Sequence, residues 1–584
     1  MHFPMYTVSS EVLLRMTRIQ PHEELKALDM LIVFDGTQGK TGFVSHQWAA
    51  SHHPDPDMKQ MKVLQDALRH LLLDTGVVPL DVSTEAAVLS AKAISLKAFQ
   101  LEPLLLWYDY FSCPQLERST SGGPNDRGKA IQSIPAYIGK CHFFFGLVPF
   151  MEDSVLSPSS WGQRGWCRME RVVREISSDH IWILVKSATS LEIVGASLSF
   201  PMSPVGTGIF GVEDDRDKLG PVLQSVVRSK LRHCLKARDL PAYRRHLNLQ
   251  PFYFRGLTVE CVEDLVPGFD PSLSLDPQAY IVAKFLHENG LRCVREVDRA
   301  GWTALHYAAL GGNAELLAAL LQQGAEPNRR TAKDEPNLGV AIWTSALDLA
   351  MMYGNNDAGQ VLIDAGARLK GLLGPVMHSA AVSDNGEGIR LLCAAGGDPH
   401  GRSLFGAPAL AIACYFGAVA AREELLSHAV FDAPTLSYAL FLGMVFRGGT
   451  AESVHRLVNL RADVNFQWRL SCASPLGFIF RMKSAQHRLG RAMVLSELAY
   501  HFNGMTPLMA AVFSSQYEGA AGLIAAGASF ELTNCRGWTA ADFARGRTVP
   551  EFLVQGLAGD RSECRRVARL ALSAGAGPYV EHKV

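Results

Sequence analysis

A chain of 584 residues is too long for one hydrophobic core and predicts two or more domains. Its apolar fraction of 48% and charged fraction of 19% describe a soluble globular protein. A formal net charge of −1 excludes a general attraction to nucleic acid or to anionic bilayers.

The first residues, MHFPMYTVSSEVLLRM, contain no long apolar segment of the kind a secretory leader needs, and positions 1–38 read as an N-terminal extension. The 11 cysteines are odd in number and lack Cys-x-x-Cys spacing, as expected of reduced thiols in the cytoplasm. The longest apolar runs, such as His142 to Phe150, are too short to span a bilayer, so no membrane association is expected.

From 39 to 250, short apolar runs alternate with amphipathic stretches. Gly42–His46, Leu104–Tyr110, His142–Phe150 and Ile181–Val185 read as strands buried on both faces. Met58–Leu72, Ala130–Ile138 and Cys167–Ile176 read as the intervening helices. This alternation predicts an α/β domain on a parallel, flavodoxin-like sheet, with ligands beyond the carboxyl ends of its strands. Ser45, His46 and Trp48 follow the first strand, and Asp109 lies near the end of the second.

The motifs here resemble two related families. FVSHQW from Phe43, YDY from Tyr108, the FFFGLVP strand and WCRME from Trp166 occur in the order found in Toll/interleukin-1 receptor-like (TIR) domains. WYDYFSCPQ (Trp107–Gln115), IPAYIGKC and RGWCRME (Arg164–Glu170) are similar to the TIR-like heterokaryon-incompatibility (HET) domains. The resemblance implies a TIR-like fold, with self-association into homo-oligomers as the signalling act. It also implies an alternative. In TIR enzymes that cleave NAD+, the glutamate of the Trp-Cys-x-x-Glu helix contacts the ribose beside nicotinamide, and Glu170 occupies that position. A carboxylate there stabilises an oxocarbenium-like state. Ser45, His46, Trp48, Asp109 and Trp166 are then candidate substrate-binding residues, NAD+ is a substrate, and no cofactor is required. Gly165 departs from the pattern, standing where a short hydroxyl residue is usual.

Other constellations carry less. Three histidines and two aspartates fall between His46 and Asp57, but two prolines make this a fixed-turn loop, and no metal site is assigned. Cys113 and Cys167 are nucleophiles only if a base lies in reach. The basic runs Arg244–His246 and Cys564–Arg566 read as solvated helix faces rather than nucleic-acid contacts.

Positions 251–279 mix proline, glycine and acidic residues and read as a linker. Then comes GWTALHYAALGGNAELLAALLQQGAEPN (Gly301–Asn328). Thr303 caps a helix of about two turns, Gly311 and Gly312 end it, and Asn313 caps a second helix whose Leu316, Leu317, Leu320 and Leu321 share a face. Two helices this short cannot bury that face alone. The second-helix ending recurs at Gly324, Gly366, Gly396, Ala429, Arg461 and Gly527, in steps of 42, 30, 33, 32 and 66 residues. The period is that of ankyrin repeats, and the stretch resembles one closely. The resemblance implies an all-α ankyrin-repeat solenoid over 280–560, of seven or eight repeats, that binds a protein partner. The first step holds a nine-residue insertion, TAKDEPNLG; the last is two periods and predicts a weakened repeat around Met493. Arg299 and Trp302 are candidate partner-binding residues. A basic tail, 561–584, closes the chain.

Overall fold

The computed structural model describes residues 2–575 except 51, 89–90, 117–125, 154–155, 178–180, 196–202, 213, 271–275, 336–337, 472–473 and 491–492. Parts of the expected linker and of the first insertion, and the last nine residues of the tail, thus lie outside the described residues.

Seven strands form one sheet: β1 (Tyr6–Ser9), β2 (Ile32–Val33), β3 (Lys40–His46), β4 (Leu104–Tyr108), β5 (Phe143–Leu147), β6 (Trp182–Val185) and β7 (Leu191–Val194). Their order is β2-β1-β4-β3-β5-β6-β7. The four central strands are parallel, in the order second, first, third, fourth that a flavodoxin-like reading requires. Alternate residues feed two cores. Phe43, Leu105, Trp107 and Phe144 face one side. Val44, Leu104, Leu106 and Phe145 face the other. Burial on both faces is why these strands read as unbroken apolar runs. Phe43 stacks on Trp107 at 4.3 Å, its register partner across β3 and β4.

Two expectations are corrected here. The sheet is mixed, because β1 runs antiparallel to β4 and β7 antiparallel to β6. Positions 1–38 are not an appendage, since β1 and β2 extend the sheet and Met5, Val8 and Leu13 are buried in its cores.

The crossover helices are α1 (Lys59–Leu73), α2 (Asp126–Lys140) and α3 (Gly165–Ile176). A longer helix, α4 (Asp214–Lys236), packs on α2 and α3. Two short helices follow, Leu240–Asn248 and Gln250–Tyr253, and both lie against the helix Ala304–Gly311. Arg244, expected on a solvated face, is buried: its guanidinium donates to the Asn289 carbonyl at 2.7 Å and lies over the Tyr307 ring.

The C-terminal part is helical. Thr303, Asn313, Ser345, Asn385, Thr450, Thr506 and Thr539 stand at helix N-caps. Gly312 and Gly324 take left-handed conformations at φ 74° and 85°, which end the two helices of the first pair at no steric cost. The first helices of successive pairs pack on one another, as do the second helices. The expected weakened repeat is absent from this stack. Pro507–Phe513 packs on Ala433–Val445, and Tyr517–Ala525 on Ala451–Asn459. The helices between them, Pro475–Arg488 and Val494–His501, pack chiefly on each other. Backbone bonds between Trp468 and both Gly504 and Met505 close their base. The segment is therefore an insertion in a loop between pairs, and its length happens to equal about one period. At the C-terminal end, Ser562–Gly575 packs on Tyr517–Ala525 and on Glu551–Leu557 rather than trailing.

The two parts clasp one another. Arg447 meets Glu192 of β7 at 2.7 Å, and Lys186 meets the same carboxylate at 3.2 Å. Lys186 also donates to the Ser514 carbonyl, and the Thr548 amide to Thr189 Oγ1. Tyr415 bonds Ser83, and Phe552 packs on Phe150. Tyr415, Arg447, Ser514 and Thr548 sit at or beside turns that join the two helices of a pair, so one edge of the helical part is committed to the sheet.

Candidate functional site

The carboxyl ends of β3 and β4, the amino-terminal half of α3 and one face of α4 enclose a cleft of about 2060 Å³. It lies beyond the carboxyl ends of the parallel strands, the usual side for ligands in such sheets. His46, Trp48, Asp109, Trp166 and Glu170 all line it. Ser45 lies beneath and hydrogen-bonds the Glu170 carboxyl.

Each side chain is held. His46 ends β3, stacks on Tyr108 at 3.9 Å and donates from Nε2 to Asp109 Oδ1 at 2.9 Å. Trp48 Nε1 donates to the other oxygen of Asp109 at 2.8 Å. Burial disfavours the imidazolium, but Asp109, the Gln47 carbonyl and Glu170 outweigh it and raise the His46 pKa. Burial likewise works against the Asp109 carboxylate, yet His46 and Trp48 hold its pKa below the ordinary value. The result is a His46–Asp109 ion pair beneath the cleft floor. The Trp166 indole, on the opposite wall, donates to Asp215 at 2.9 Å.

Glu170 has no such partner. Arg171 pairs with Glu175, and Arg174 donates to the carbonyls of Cys141, His142 and Ile181. Burial pushes Glu170 up to about 8, and Asp109 adds to that. The Ser45 hydroxyl and the His46 charge oppose it only in part. Ser45 is itself fixed by Trp161, whose Nε1 donates to Ser45 Oγ at 3.2 Å. A neutral carboxyl at pH 7 thus sits over an ion pair, beside two indoles, in a cleft that also carries Arg127, Arg164, Lys218 and Lys230. A cationic group entering there would draw Glu170 into its anionic form.

The remaining sequence candidates fall elsewhere. Cys113 and Cys167 are buried, and burial pushes both thiols well above their ordinary value, so neither is a ready nucleophile. Asp55 accepts the amides of Lys59 and Met61 at the start of α1, and His53 Nδ1 accepts the Asp55 amide. Those two residues are spent on the turn before the helix. Gly165 has a local reason: a Cβ there would lie 2.2 Å from the Phe210 ring. Trp302 is corrected. It is fully buried, packed on His306 and Tyr307, with its amide on Asp298, so it builds the loop between pairs and meets no partner. Arg299 is exposed, as a contact residue must be. Trp161 and α4 went unrecognised, the first because nothing in SSWGQRGW marks which tryptophan faces the strand end. A helix-length pattern over 214–236 was the available signal for the second.

A second surface lies along the loops between pairs. Trp343, Leu372, Leu404 and Phe405 are 43%, 62%, 53% and 45% exposed. Backbone bonds tie neighbouring loops: Ala332 to Ala300, and Leu404 to Leu373. A shallow groove beside Leu372 is lined by Arg329, Arg330 and Arg368.

Comparison with known proteins identifies one stretch of the helical part. The family model for the ankyrin repeat matches residues 300–332, the segment that opens with the buried Trp302. The chain carries an ankyrin repeat at residues 300–332. Among curated proteins, calmodulin-binding transcription activator 6 of Arabidopsis thaliana is 47% identical over 57 residues, which is 10% of this chain and 6% of that protein. Among solved structures, the human ASB11 ankyrin repeat domain aligns at 20% identity with a TM-score of 0.31, over 47% of this chain and 99% of that one. No helix among the described residues is long and apolar enough to cross a membrane.

Proposed function

We propose that this is a cytoplasmic interaction protein whose ankyrin repeats take a protein partner across their loops, with the N-terminal domain as a TIR/HET-like, self-associating effector. The observation that supports it is the row of exposed Trp343, Leu372, Leu404 and Phe405 on loops tied to one another. Exposed apolar patches of this kind mark protein contacts, and the opposite edge of the stack is already occupied by the sheet. Proteins co-purifying with the full chain are to be compared with those held by L372D/L404D/F405D. Loss of a specific partner in the triple variant is expected; an unchanged set would sink the reading. Light scattering of the full chain with partner bound tests self-association.

A second reading is favoured by one arrangement: Glu170, His46, Trp48, Asp109 and Trp166 converge on one cleft at the carboxyl ends of the parallel strands. On this reading the domain hydrolyses NAD+. Glu170 loses its proton to solvent when the positively charged nicotinamide ring enters. Its carboxylate then stabilises the oxocarbenium-like ribose as the N-glycosidic bond breaks, nicotinamide leaves with the bonding pair, and water completes the hydrolysis. Ser45 orients the carboxylate, and the indoles border the ring. NAD+ consumption by the full chain beside Glu170→Gln is the test. No turnover by the wild type at high protein concentration sinks the enzymatic reading; equal turnover by the variant sinks the role of Glu170 alone.

A further inference from the structure

The insertion between the fifth and sixth helix pairs has a face that nothing in the fold covers. In the helix Pro475–Arg488, Phe480 packs on Phe502, and Lys483 pairs with Glu85 of the sheet domain at 2.8 Å. That side is fixed. The other side carries Phe478, Met482, Ala485 and, just past the last turn, Leu489, at the i, i+4, i+7, i+11 spacing that puts them in one stripe. Phe478 is 62% exposed, Met482 54% and Leu489 80%, with Ile479 alongside. Arg481 and Arg488 flank the stripe, seven residues apart on one side, and both are exposed. Neither enters an ion pair among the described residues, although Arg488 lies over the Tyr500 ring.

The charge along this stretch of sequence is one-sided. Between Asp463 and Glu497 the sequence has no acidic residue, while it holds Arg469, Arg481, Lys483, Arg488 and Arg491. The whole chain is near neutral, so this is a local concentration of positive charge, distinct from the general attraction that a net charge of −1 excludes. An apolar stripe with cations at its flank is the pattern of a helix that lies in an anionic interface, the apolar side chains entering it and the guanidinium groups staying at headgroup level.

We infer that the exposed face of Pro475–Arg488 is a docking face for an anionic lipid surface. The shape of the face favours a lipid surface over a protein groove. One side of the helix packs on Val494–His501 and is tied to the sheet domain through Lys483 and Glu85, so a groove that encloses the helix cannot close round it. A planar surface needs only the side that is free. The inference stands apart from the cleft and from the partner loops, because it uses neither.

Flotation of the full chain with vesicles of phosphatidylcholine holding about 30% phosphatidylserine, against pure phosphatidylcholine, tests it. The wild type should float with the anionic vesicles only, and added salt should weaken the binding, because exposed charges are screened within about 10 Å at 0.1 M. R481E/R488E should bind at least about ten-fold more weakly, at about 1 kcal/mol for each charge near the surface. F478S/M482S should lose binding to a similar degree. All four side chains are exposed, so unchanged circular dichroism and melting are expected, and the partner-loop variant L372D/L404D/F405D should float like the wild type. Failure of the wild type to float, equal flotation with neutral vesicles, or undiminished flotation of both double variants would each overturn the inference. Capture of an acidic protein that depends on Arg481 and Arg488, without flotation, would overturn it in favour of a protein partner.

Discussion

Glu192 is largely buried and Glu170 buried in the same domain, and they meet opposite fates. At Glu192, burial is overcome by Lys186 and Arg447, which hold the carboxyl at about 2. At Glu170, burial prevails and the carboxyl stands at about 8. Burial therefore does not decide charge; the partners supplied with it do. The clasp gives its carboxylate two cations and reads as architecture. The cleft leaves its carboxyl waiting for a positive group from outside, which is how a binding or catalytic site differs from a structural one.

The sharpest way to break this contrast is at the clasp. Arg447→Ala strands Glu192 in a buried setting with Lys186 alone, and should weaken the contact between the two parts by about 3–5 kcal/mol, read as a lowered melting midpoint and faster proteolysis between them. A pH series separates the two acids next. Glu192 has a depressed folded pKa, so its contribution is full above its ordinary value of 4.5 and is lost as pH falls towards 2. Glu170 has a raised one, so its contribution is full below 4.5 and is lost as pH climbs from 4.5 to about 8. Glu170→Gln should accordingly stabilise the protein above pH 8 by about 4–5 kcal/mol; a destabilised variant in chemical denaturation at pH 8.5 would contradict the neutral resting state. Removing the hydroxyl that favours the anion, in Ser45→Ala, should raise the Glu170 pKa by about one further unit, visible in a carboxyl-carbon NMR titration. Smallest of all, Leu404→Ser should leave stability within about 0.5 kcal/mol while reducing partner retention, since its side chain is already in water.

Much of the cleft was legible because its chemistry is local. FVSH ends a strand, YDY ends the next, and WCRME opens a helix, so a parallel sheet brings Ser45, His46, Asp109 and Glu170 together without further information. What escaped was set by long-range contact. YTVS at Tyr6–Ser9 is four residues with no strong alternation, and becomes a strand only because β4 offers an edge. Arg447 and Glu192 lie far apart in the chain, and neither looks unusual in its own segment. Trp302 was misplaced for a related reason: a tryptophan in a loop looks like a contact residue until Tyr307 and His306 are seen to enclose it. An insertion of about one period keeps the later endings in step and conceals that its helices leave the stack.

The helix Asp214–Lys236 belongs to two structures at once. One face supplies Lys218, Pro221, Val222 and Lys230 to the cleft. Its carboxyl end runs on through Leu240–Asn248 to the first two repeats, where Arg245 meets Glu335 of the insertion at 3.1 Å and Arg255 meets Asn355 of the second pair at 3.0 Å. A fragment cut at residue 205 would keep Glu170 yet lose an entire wall, so the natural unit of chemistry is larger than the sheet that carries the acid. The same helix joins the two: its side borders the pocket, and the helix that follows it, Leu240–Asn248, rests on the first repeat.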